Sequence, residues 1–263
     1  MTVRYAPELQ GGTVTLVGGG PGDPGLLTVA GLEAVQQADV ILYDRLAPAQ
    51  VLEEAPDSCQ RIPVGKVPRG EYVPQERINE LLVEHAQAGR RVVRLKGGDS
   101  FVFGRGGEEW QACAAAGIPV RVIPGVTSAV AAAELVGLPV THRHLVQGFT
   151  VVSGHVAPDD QRSLLDWEHL AMTPTTLVIM MGVAHLGEIA TRLMAGGMDP
   201  QTPVAVVSNA SLPRQQTFRS RLETVAEDLT AAGVRPPAIT IIGEVAGLDL
   251  DHTDPATRVP SDH

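Results

Sequence analysis

Short runs of apolar and β-branched residues, each bounded by turn residues, recur along the first half of the chain. Unbroken runs of this kind indicate strands that are buried on both faces of a parallel sheet. The predicted strands cover residues 13–17, 39–43, 92–95 and 120–123. The helices predicted between and after them cover residues 26–37, 75–88 and 108–116. This alternation predicts βαβ architecture.

The second half of the chain continues the same alternation. An Ala-rich helix predicted over residues 129–136 is followed by Gly137-Leu-Pro139, where we place a domain boundary. Further predicted strands cover residues 149–153, 176–181, 204–208 and 238–242, and further helices cover 186–195 and 222–232. The predicted fold class is therefore α/β. It comprises an N-terminal domain over residues 13–138, a C-terminal domain over 139–247, and flexible tails over 1–12 and 248–263.

The composition suits a globular α/β protein, with 44% hydrophobic, 19% charged and 3% aromatic residues. A formal net charge of −10 argues against a surface that binds nucleic acid. The charge is uneven, because basic residues outnumber acidic ones between Arg61 and Arg105. We interpret most of these basic side chains as solvated surface, and those beside glycine-rich loops as a local site for anions.

Two cysteines, Cys59 and Cys113, are too few and too far apart for a disulfide framework or a CxxC metal site. The histidines at 142, 144 and 155 lack the spacing of metal ligands, so we expect no metal. The first residues lack an apolar signal-peptide core, and no apolar stretch reaches the roughly 20 residues of a membrane span. These features predict a cytoplasmic protein that does not bind membranes.

The turn Gly20-Pro-Gly-Asp-Pro-Gly25 satisfies G-x-G-x-x-G after a strand, and Asp44 ends the next strand, as in a dinucleotide-binding fold. A Rossmann dehydrogenase is therefore one hypothesis. Against it, Pro21 and Pro24 have no N–H to donate to a pyrophosphate, and Asp23 would repel one. The turn better suits a ligand without phosphates, or a cation. A tight strand-to-helix turn whose glycines serve only backbone geometry is the plainer alternative.

Several further segments follow one another along the chain: Tyr43-Asp-Arg-Leu46, Val64-Gly-Lys66, Pro74-Gln-Glu76, the run from Val92 to Glu109 that contains GGDSFVFGRGGEE, Pro124-Gly-Val-Thr-Ser128, Leu138-Pro-Val-Thr-His-Arg143 and Ser153-Gly-His155. With the glycine turn, they give residues 13–245 a sequence that resembles the uroporphyrinogen-III C-methyltransferases of the tetrapyrrole methylase family. The GGDSFVFGRGGEE run is specific, whereas the glycine turn alone is not.

This resemblance implies two α/β domains with the active site in the cleft between them, and a homodimer. It implies S-adenosylmethionine as the methyl donor and uroporphyrinogen III as the substrate. The implied reaction methylates C2 and C7, giving precorrin-1, then precorrin-2, and S-adenosylhomocysteine.

The resemblance also implies roles for individual residues, with Asp44 as proton acceptor and Lys66 as proton donor. The residues implied to contact S-adenosylmethionine are Pro21, Gly97, Gly98, Asp99, Val102, Thr127, Ser128, Met181, Ala210 and Ala238. The chain departs from the family pattern at Ser100, where proline is frequent, and at Asn209-Ala-Ser211, where Asn-Gly-Thr is common. Ala210 suits its position only if its φ is negative.

The residue types themselves leave alternatives open. Gly97-Gly-Asp99 follows a buried strand, so its backbone can approach a ligand while the Asp99 carboxylate binds a hydroxyl or amine. The sequence is equally compatible with an Asp99 that only initiates a turn. Thr127 and Ser128 open a helix, where hydroxyls more often act as caps. Met181 at a strand end is ordinarily a core residue, although a thioether can also shape a soft pocket.

An electron-rich pyrrole carbon can attack the sulfonium methyl group without a metal or a covalent intermediate, so alignment is the main task of the enzyme. The attack leaves positive charge on the pyrrole, which Asp44 could stabilise or relieve by accepting a proton; a turn cap is its alternative role. Uroporphyrinogen carries eight carboxylates, which arginine forks suit. The basic residues in or beside the relevant loops are Arg45, Lys66, Arg69, Arg105 and Arg143, for which ordinary surface charge is the alternative.

Besides the methyltransferase and the dehydrogenase, two further hypotheses remain: a relative that binds S-adenosylmethionine without catalysis, and one that acts on a later corrin intermediate. Asp44 and Lys66 argue against the first, and the Tyr43-Asp-Arg-Leu46 and Val64-Gly-Lys66 segments argue against the second. The chain is too short to include the dehydrogenase and chelatase domain of fused sirohaem synthases, so we expect a monofunctional enzyme. Whether its product leads to sirohaem, cobalamin or another tetrapyrrole is left open.

Overall fold

The computed structural model describes residues 8–65 and 73–250, and the chain divides into two compact units between Ser128 and Ala129. Within the described residues, the first unit contains five strands: β1 (Thr13–Gly18), β2 (Val40–Tyr43), β3 (Gln60–Pro63), β4 (Arg91–Lys96) and β5 (Val120–Ile123). They form one parallel sheet in the order β3-β2-β4-β1-β5. The helices are α1 (Val29–Gln36), α2 (Gln75–Gln87) and α3 (Gly106–Ala115), with short 3-10 helices at Pro24–Leu26 and Ala49–Glu54.

Both faces of strands β1, β2 and β4 of the first sheet are buried, as the unbroken apolar runs predict. Side chains alternate along a strand, so Leu16 of β1 joins a core cluster with Leu82 of α2 and Cys113 of α3. Its neighbour Val17 joins the cluster on the other face, which includes Val35 of α1. Because all five strands are parallel, their carboxyl ends lie along one edge of the sheet, where ligands bind in folds of this type.

The second unit is a mixed sheet flanked by helices. Its strands are β6 (Phe149–Ser153), β7 (Thr176–Met180), β8 (Pro203–Ser208), β9 (Gln216–Arg221) and β10 (Ala238–Ile242), in the order β6-β7-β10-β8-β9. Its helices are α4 (Ser128–Glu134), α5 (Trp167–Ala171), α6 (Leu186–Ala195) and α7 (Val225–Ala231), with short 3-10 helices at Val183–His185 and Glu244–Gly247. Only the β6–β7 pair is parallel among the described strands of this sheet. Neighbouring residues of β7 again divide between two cores, since Val178 packs on the side of α4 and Ile179 on the side of α6.

The structure divides the chain ten residues before the predicted boundary at 138/139. The reason is the packing of α4, whose Ala129 and Ala132, together with Leu138, belong to a core cluster with Val178 of β7 and Ala205 of β8. The Ala-rich helix therefore contributes to the core of the second unit, apart from its first residue.

Each predicted strand agrees with an observed strand to within one residue at either end. The exposed edge strands β3 and β9 were not predicted, because their polar sequences lack a buried apolar face. The predicted helix 26–37 is divided: a 3-10 helix ends at Leu26, and α1 begins at Val29 after Thr28, whose hydroxyl accepts from Gly31 N at 3.1 Å. Among the residues that the structure describes, no helix combines the length and apolar character needed to cross a membrane.

Candidate functional site

Of the loops at the carboxyl edge of the first sheet, those after β1, β2, β4 and β5 are described throughout. Gly20 and Gly98 connect the first and third of them through two backbone hydrogen bonds, of 3.1 Å from Gly20 N to Gly98 O and 2.6 Å in the reverse direction. This bridge brings half-buried Pro21 close to the loop that contains Gly97 and Asp99. Sequence-predicted residues from two separate motifs therefore share one edge.

Glycines allow the backbones of these loops to approach closely. A Cβ atom on Gly125 would lie 2.4 Å from Gly98 O and 2.6 Å from Gly18 Cα, distances too short for any side chain. Gly97 likewise leaves no room for a side chain against Leu46, in the loop after β2. The residues that follow β1, β2, β4 and β5 thus form one continuous backbone surface.

Both Asp99 carboxylate oxygens organise this surface. Oδ1 accepts from Phe101 N at 2.8 Å, and Oδ2 accepts from Gly125 N at 2.9 Å. The turn-forming alternative considered for Asp99 is therefore observed. Each carboxylate oxygen has two acceptor sites, so these bonds leave capacity for a ligand hydroxyl or amine.

Val102, Thr127 and Ser128 are half-buried at the same edge. Ser128 is the first residue of α4, and its hydroxyl oxygen lies 3.7 Å from where a Cβ on Gly98 would stand. The structure therefore brings seven of the predicted cofactor-contact residues together in the first unit: Pro21, Gly97, Gly98, Asp99, Val102, Thr127 and Ser128.

Asp44 immediately follows β2, and its backbone N–H donates to Leu95 O at 3.2 Å. Its side chain is 30% exposed, and Oδ1 accepts a 2.6 Å bond from Arg94 Nη2. Lys96 Nζ lies 3.9 Å from Oδ2. The carboxylate therefore stands at the end of the strand between a buried cation and solvent.

Arg94 and Lys96 belong to a buried ionic cluster centred on Glu109 of α3, which is fully buried. Glu109 Oε1 accepts from Arg94 Nε at 3.0 Å, from Lys96 Nζ at 2.9 Å and from Gln75 Nε2 at 3.2 Å. Burial opposes the charge of Arg94, but Glu109 and Asp44 outweigh it and raise the pKa of the guanidinium. Burial and the charge of Arg94 lower the pKa of Lys96.

Sequence reasoning missed this cluster, although a signal was present. Arg94 and Lys96 are charged residues two apart in the buried part of a strand, so they point to the same face of a sheet that is covered on both sides. Such residues require buried partners. The sequence does not indicate which carboxylates those are.

The predicted substrate-binding arginines differ in their surroundings. Arg105 has a left-handed backbone with φ 59° and pairs through Nε and Nη2 with Glu108, whose pKa it lowers. Arg45 is exposed directly after Asp44, and Arg143 is exposed in the second unit. Lys66 and Arg69 lie outside the described residues.

The remaining predicted cofactor contacts lie together in the second unit. Met181 follows β7, Ala238 begins β10, and Ala210 follows β8. Because β10 runs antiparallel to both neighbours, its first residues and the ends of β7 and β8 share one edge: Ile239 pairs with Met180, and Ala238 pairs with Ser208.

Unusual backbone conformations mark this edge. Met181 has φ 57°, and Asn209 and Ser211 have φ 50° and 67°. Such left-handed residues cost about 1–2 kcal/mol each and cluster at functional sites. Ala210 lies between two of them without adopting a positive φ itself, which meets the condition set for it from the sequence.

No group of three or more His, Cys, Asp or Glu side chains in the described parts of the chain is arranged to hold a metal ion. His142 and His144 are neighbours, with ring centroids 6.5 Å apart, but His142 Nδ1 is buried without a hydrogen-bond partner among the described residues. That the enzyme needs no metal stays a prediction.

Comparison with known proteins agrees with the sequence motifs and with the loops at the sheet edge. The family model of tetrapyrrole (corrin/porphyrin) methylases matches residues 13–226. The chain belongs to this family. The siroheme synthase of Tolumonas auensis is 46% identical over 243 residues, which are 92% of this chain and 51% of that protein. The siroheme synthase of Neisseria meningitidis serogroup B is 50% identical over 242 residues, 91% of this chain and 49% of that protein.

This tetrapyrrole methylase spans about half the length of these relatives. It is also similar to a crystal structure of the uroporphyrin-III C-methyltransferase of Thermus thermophilus in complex with S-adenosylhomocysteine. That similarity has a TM-score of 0.77 and 46% identity, and covers 89% of this chain and 99% of the other. The family and the two-unit α/β fold class predicted from the sequence are thereby confirmed.

Proposed function

We propose that the chain catalyses S-adenosylmethionine-dependent C-methylation of uroporphyrinogen III. The reaction methylates C2 and then C7, giving precorrin-1, precorrin-2 and S-adenosylhomocysteine. The observation that carries this proposal is the similarity to the Thermus thermophilus uroporphyrin-III C-methyltransferase, which covers nearly the whole of that enzyme at 46% identity. The siroheme synthase relatives are consistent with the same substrate class.

The proposed cofactor contacts in the first unit are the residues of the joined loops. Close approach at Gly18 and Gly125 keeps side chains out of this surface, and Asp99 retains acceptor capacity for ribose or amino groups. In the second unit, the proposed contacts are Met181, Ala210 and Ala238. The thioether of Met181, half-exposed on a left-handed backbone, suits contact with adenine or a sulfonium side chain.

In the proposed chemistry, an electron-rich pyrrole carbon attacks the sulfonium methyl group in line. The new C–C bond forms as the S–CH3 bond breaks, the sulfonium becomes a thioether, and positive charge remains on the pyrrole. The Asp44 carboxylate stabilises this charge and accepts the proton that the ring loses, which leaves a neutral methylated ring. Lys66 is the proposed proton donor where one ring position gains a proton as another loses one, a shift that leaves the net release of one proton unchanged. Arg45, Arg69, Arg105 and Arg143 are the proposed partners of the substrate carboxylates. Arg105 would share its guanidinium between Glu108 and substrate.

A nicotinamide-dependent dehydrogenase fits less well. Pro21 and Pro24 remove backbone donors from the glycine turn, while Asp23 caps the 3-10 helix at the position that a pyrophosphate would need. We propose that the turn accommodates a cationic cofactor instead.

The decisive assay incubates the purified chain with methyl-labelled S-adenosylmethionine and uroporphyrinogen III under anaerobic, reducing conditions. We expect label in a dimethylated tetrapyrrole and formation of S-adenosylhomocysteine. Absence of label from the tetrapyrrole, with nicotinamide binding in parallel, would overturn the proposal in favour of the dehydrogenase. Binding of S-adenosylmethionine without transfer would favour a non-catalytic relative.

We predict that Asp44→Asn lowers kcat by about 100-fold or more, because the substitution removes charge and basicity while keeping the shape of the side chain. The Kd of S-adenosylmethionine, measured by calorimetry, should change by less than about two-fold. Asp57→Asn, at an exposed turn before β3, is the matched control and should leave kcat unchanged. Equal kcat values for wild type and Asp44→Asn would remove Asp44 from the mechanism.

We also propose a cytoplasmic homodimer that requires no metal. Light scattering during size-exclusion chromatography measures the assembly, and retention of methyl transfer after extensive chelation tests the metal. A monomer, or an activity that returns only on metal addition, would contradict these statements.

A further inference from the structure

The buried ionic cluster of the first unit extends from the core to Asp44, its most exposed member. Arg94, Lys96 and Glu109 have side chains that are 2%, 3% and 0% exposed, whereas Asp44 is 30% exposed. We propose that Arg94 is a positioning residue that fixes the Asp44 carboxylate for methyl transfer. This inference rests on the role proposed for Asp44.

The Arg94 guanidinium is held on every side. Nε donates to Glu109 Oε1 at 3.0 Å, and Nη2 donates to Asp44 Oδ1 at 2.6 Å. Nη1 donates to the backbone oxygens of Leu95 and Leu42, at 3.2 and 3.4 Å. These carbonyls belong to β4 and β2, so the guanidinium is fixed to the two strands from which the site extends. A planar fork with several fixed bonds has little freedom to move, and it restricts the group it binds.

Within the part of the chain that the structure describes, Asp44 accepts a side-chain hydrogen bond through Oδ1, and its Oδ2 has a longer ion pair with Lys96. Among the described residues, Oδ2 accepts no hydrogen bond, and Lys96 Nζ lies 3.9 Å from it. The anchored oxygen therefore sets the direction of the carboxylate, and the second oxygen stays available for a developing positive charge or a proton. Preorganisation of this kind acts in the transition state without reorganisation of the protein.

Stability does not explain the cluster. Burying the charged side chains of Arg94, Lys96 and Glu109 has a large desolvation cost, and well-packed apolar residues often stabilise a core as well or better. The cost is higher still because Glu109 Oε2, within the described part of the chain, is buried without a hydrogen-bond partner. The formal charges cancel, with two cations facing two carboxylates, which makes the arrangement tolerable. The cluster contacts Asp44 just after the end of β2, where this side chain reaches solvent. This location agrees with a role for Arg94 in positioning Asp44.

The test uses Arg94→Lys. A lysine keeps the buried positive charge, but its single ammonium group cannot bond Glu109, two carbonyls and Asp44 at once. We expect kcat to fall by about 10- to 100-fold, as for a small misplacement of a catalytic group. The Kd of S-adenosylmethionine should change by less than about two-fold. Arg91→Lys is the matched control, because Arg91 lies on the same strand and pairs with Asp39 away from the site; its kcat should equal that of wild type.

A double-mutant cycle separates positioning from a general structural effect. In an Asp44→Asn background the carboxylate is already absent, so Arg94→Lys should change the residual kcat by less than about two-fold. A loss of the same size in both backgrounds would show that Arg94 acts independently of Asp44 and would overturn the inference. So would an unchanged kcat in Arg94→Lys when Asp44→Asn is impaired, and this outcome leaves the proposed function intact.

If Arg94→Lys does not fold, Arg94→Gln combined with Glu109→Gln removes one cation and one anion and keeps the cluster neutral. The same loss of kcat, absent in the Asp44→Asn background, is expected from it. Failure of wild type to transfer methyl groups, or full activity of Asp44→Asn, would overturn the proposed function and this inference with it.

Discussion

Two arginines of β4 meet carboxylates in opposite surroundings. Arg91 pairs with Asp39 where both side chains are more than a third exposed, whereas Arg94 meets Glu109 and Asp44 almost entirely out of solvent. The exposed pair is screened by water and makes a modest contribution to stability. The buried arginine connects the core to the proposed catalytic residue. Residues of one type on one strand therefore serve different purposes.

The exposed pair yields a pH-dependent prediction. The Arg91 guanidinium holds the pKa of the Asp39 carboxyl below its usual range. A lowered folded-state pKa adds stability above the unfolded value of about 3.9, and that stability is lost as pH falls through the folded value. Asp39→Asn should therefore lower the free energy of unfolding by about 1 kcal/mol at neutral pH, after allowance for exposure.

This deficit should shrink once the pH falls below about 4, as wild-type Asp39 becomes protonated. Urea unfolding of both proteins across this range measures it, with Asp57→Asn as the control that should match wild type throughout. A deficit that grows with acidity would show that the sign is wrong.

At the same scale, sequence reasoning identified residues by motif and not by partner. The motifs single out Asp44 and Asp99, and the structure places both at one sheet edge. The local bond from Phe101 N to Asp99 is the turn that the sequence allows. The contact of Asp44 with Arg94 and the bond from Gly125 N to Asp99 could not be predicted, because each joins residues that are far apart in the chain. The left-handed backbone of Met181 could not be predicted from the sequence either, since methionine rarely adopts a positive φ.

Among the elements, the edge of the first sheet depends on loop backbones in contact. Gly18 ends β1, and Gly98 and Gly125 lie in the loops after β4 and β5. A side chain on Gly18 or Gly125 would force these backbones apart. Their contact determines the shape of the proposed cofactor surface more directly than any single side chain does.

We predict that Gly125→Ala lowers the free energy of unfolding by about 2–3 kcal/mol, because its Cβ would overlap Gly98 O at 2.4 Å. It should also weaken S-adenosylmethionine binding by more than about ten-fold. Gly107→Ala is the control: it lies in α3 with open space around it, so alanine should be neutral or stabilising by up to about 1 kcal/mol. Equal effects of the two substitutions on binding would show that loop contact does not shape the cofactor site.

Strand prediction succeeded where burial controls the sequence. The strands β1, β4 and β10 were located to within one residue, because a strand covered on both sides is rich in apolar and β-branched residues. The edge strands β3 and β9 remained hidden, since a half-exposed strand resembles a loop in composition. Helix α5 was missed because five residues are too few to establish a period.

For the whole molecule, the net charge of −10 is unfavourable for binding the proposed substrate, which has eight carboxylates. Most basic residues between Arg61 and Arg105 that the structure describes bond internal partners: Arg61 donates to three carbonyls, and Arg77 pairs with Glu80 and Glu84. The excess of basic residues in this segment is therefore a poor measure of anion binding. The proposed substrate arginines must act locally within an acidic protein.

Ionic strength tests this balance. Raising salt from about 0.05 M to about 0.3 M should raise the KM for uroporphyrinogen III several-fold, because screening weakens the local arginine–carboxylate attraction. Arg45→Gln should reduce this salt dependence, whereas Arg90→Gln, at the opposite end of β4, should preserve it. A KM that falls as salt rises would show that repulsion by the acidic surface dominates and that the assigned arginines do not bind substrate.

The order of strands in the first sheet also sets the course of folding. β1 lies near the centre of the sheet, yet its Thr13 pairs with Arg91 and its Val14 with Val120. β1 is therefore synthesised well before the two strands that it pairs with, whereas β8 and β9 of the second unit pair across a short connection. Distant pairing slows folding and leaves apolar strands exposed meanwhile. During synthesis, the apolar strand β1 of the first unit therefore stays unpaired, and open to aggregation, until β4 and β5 have been made.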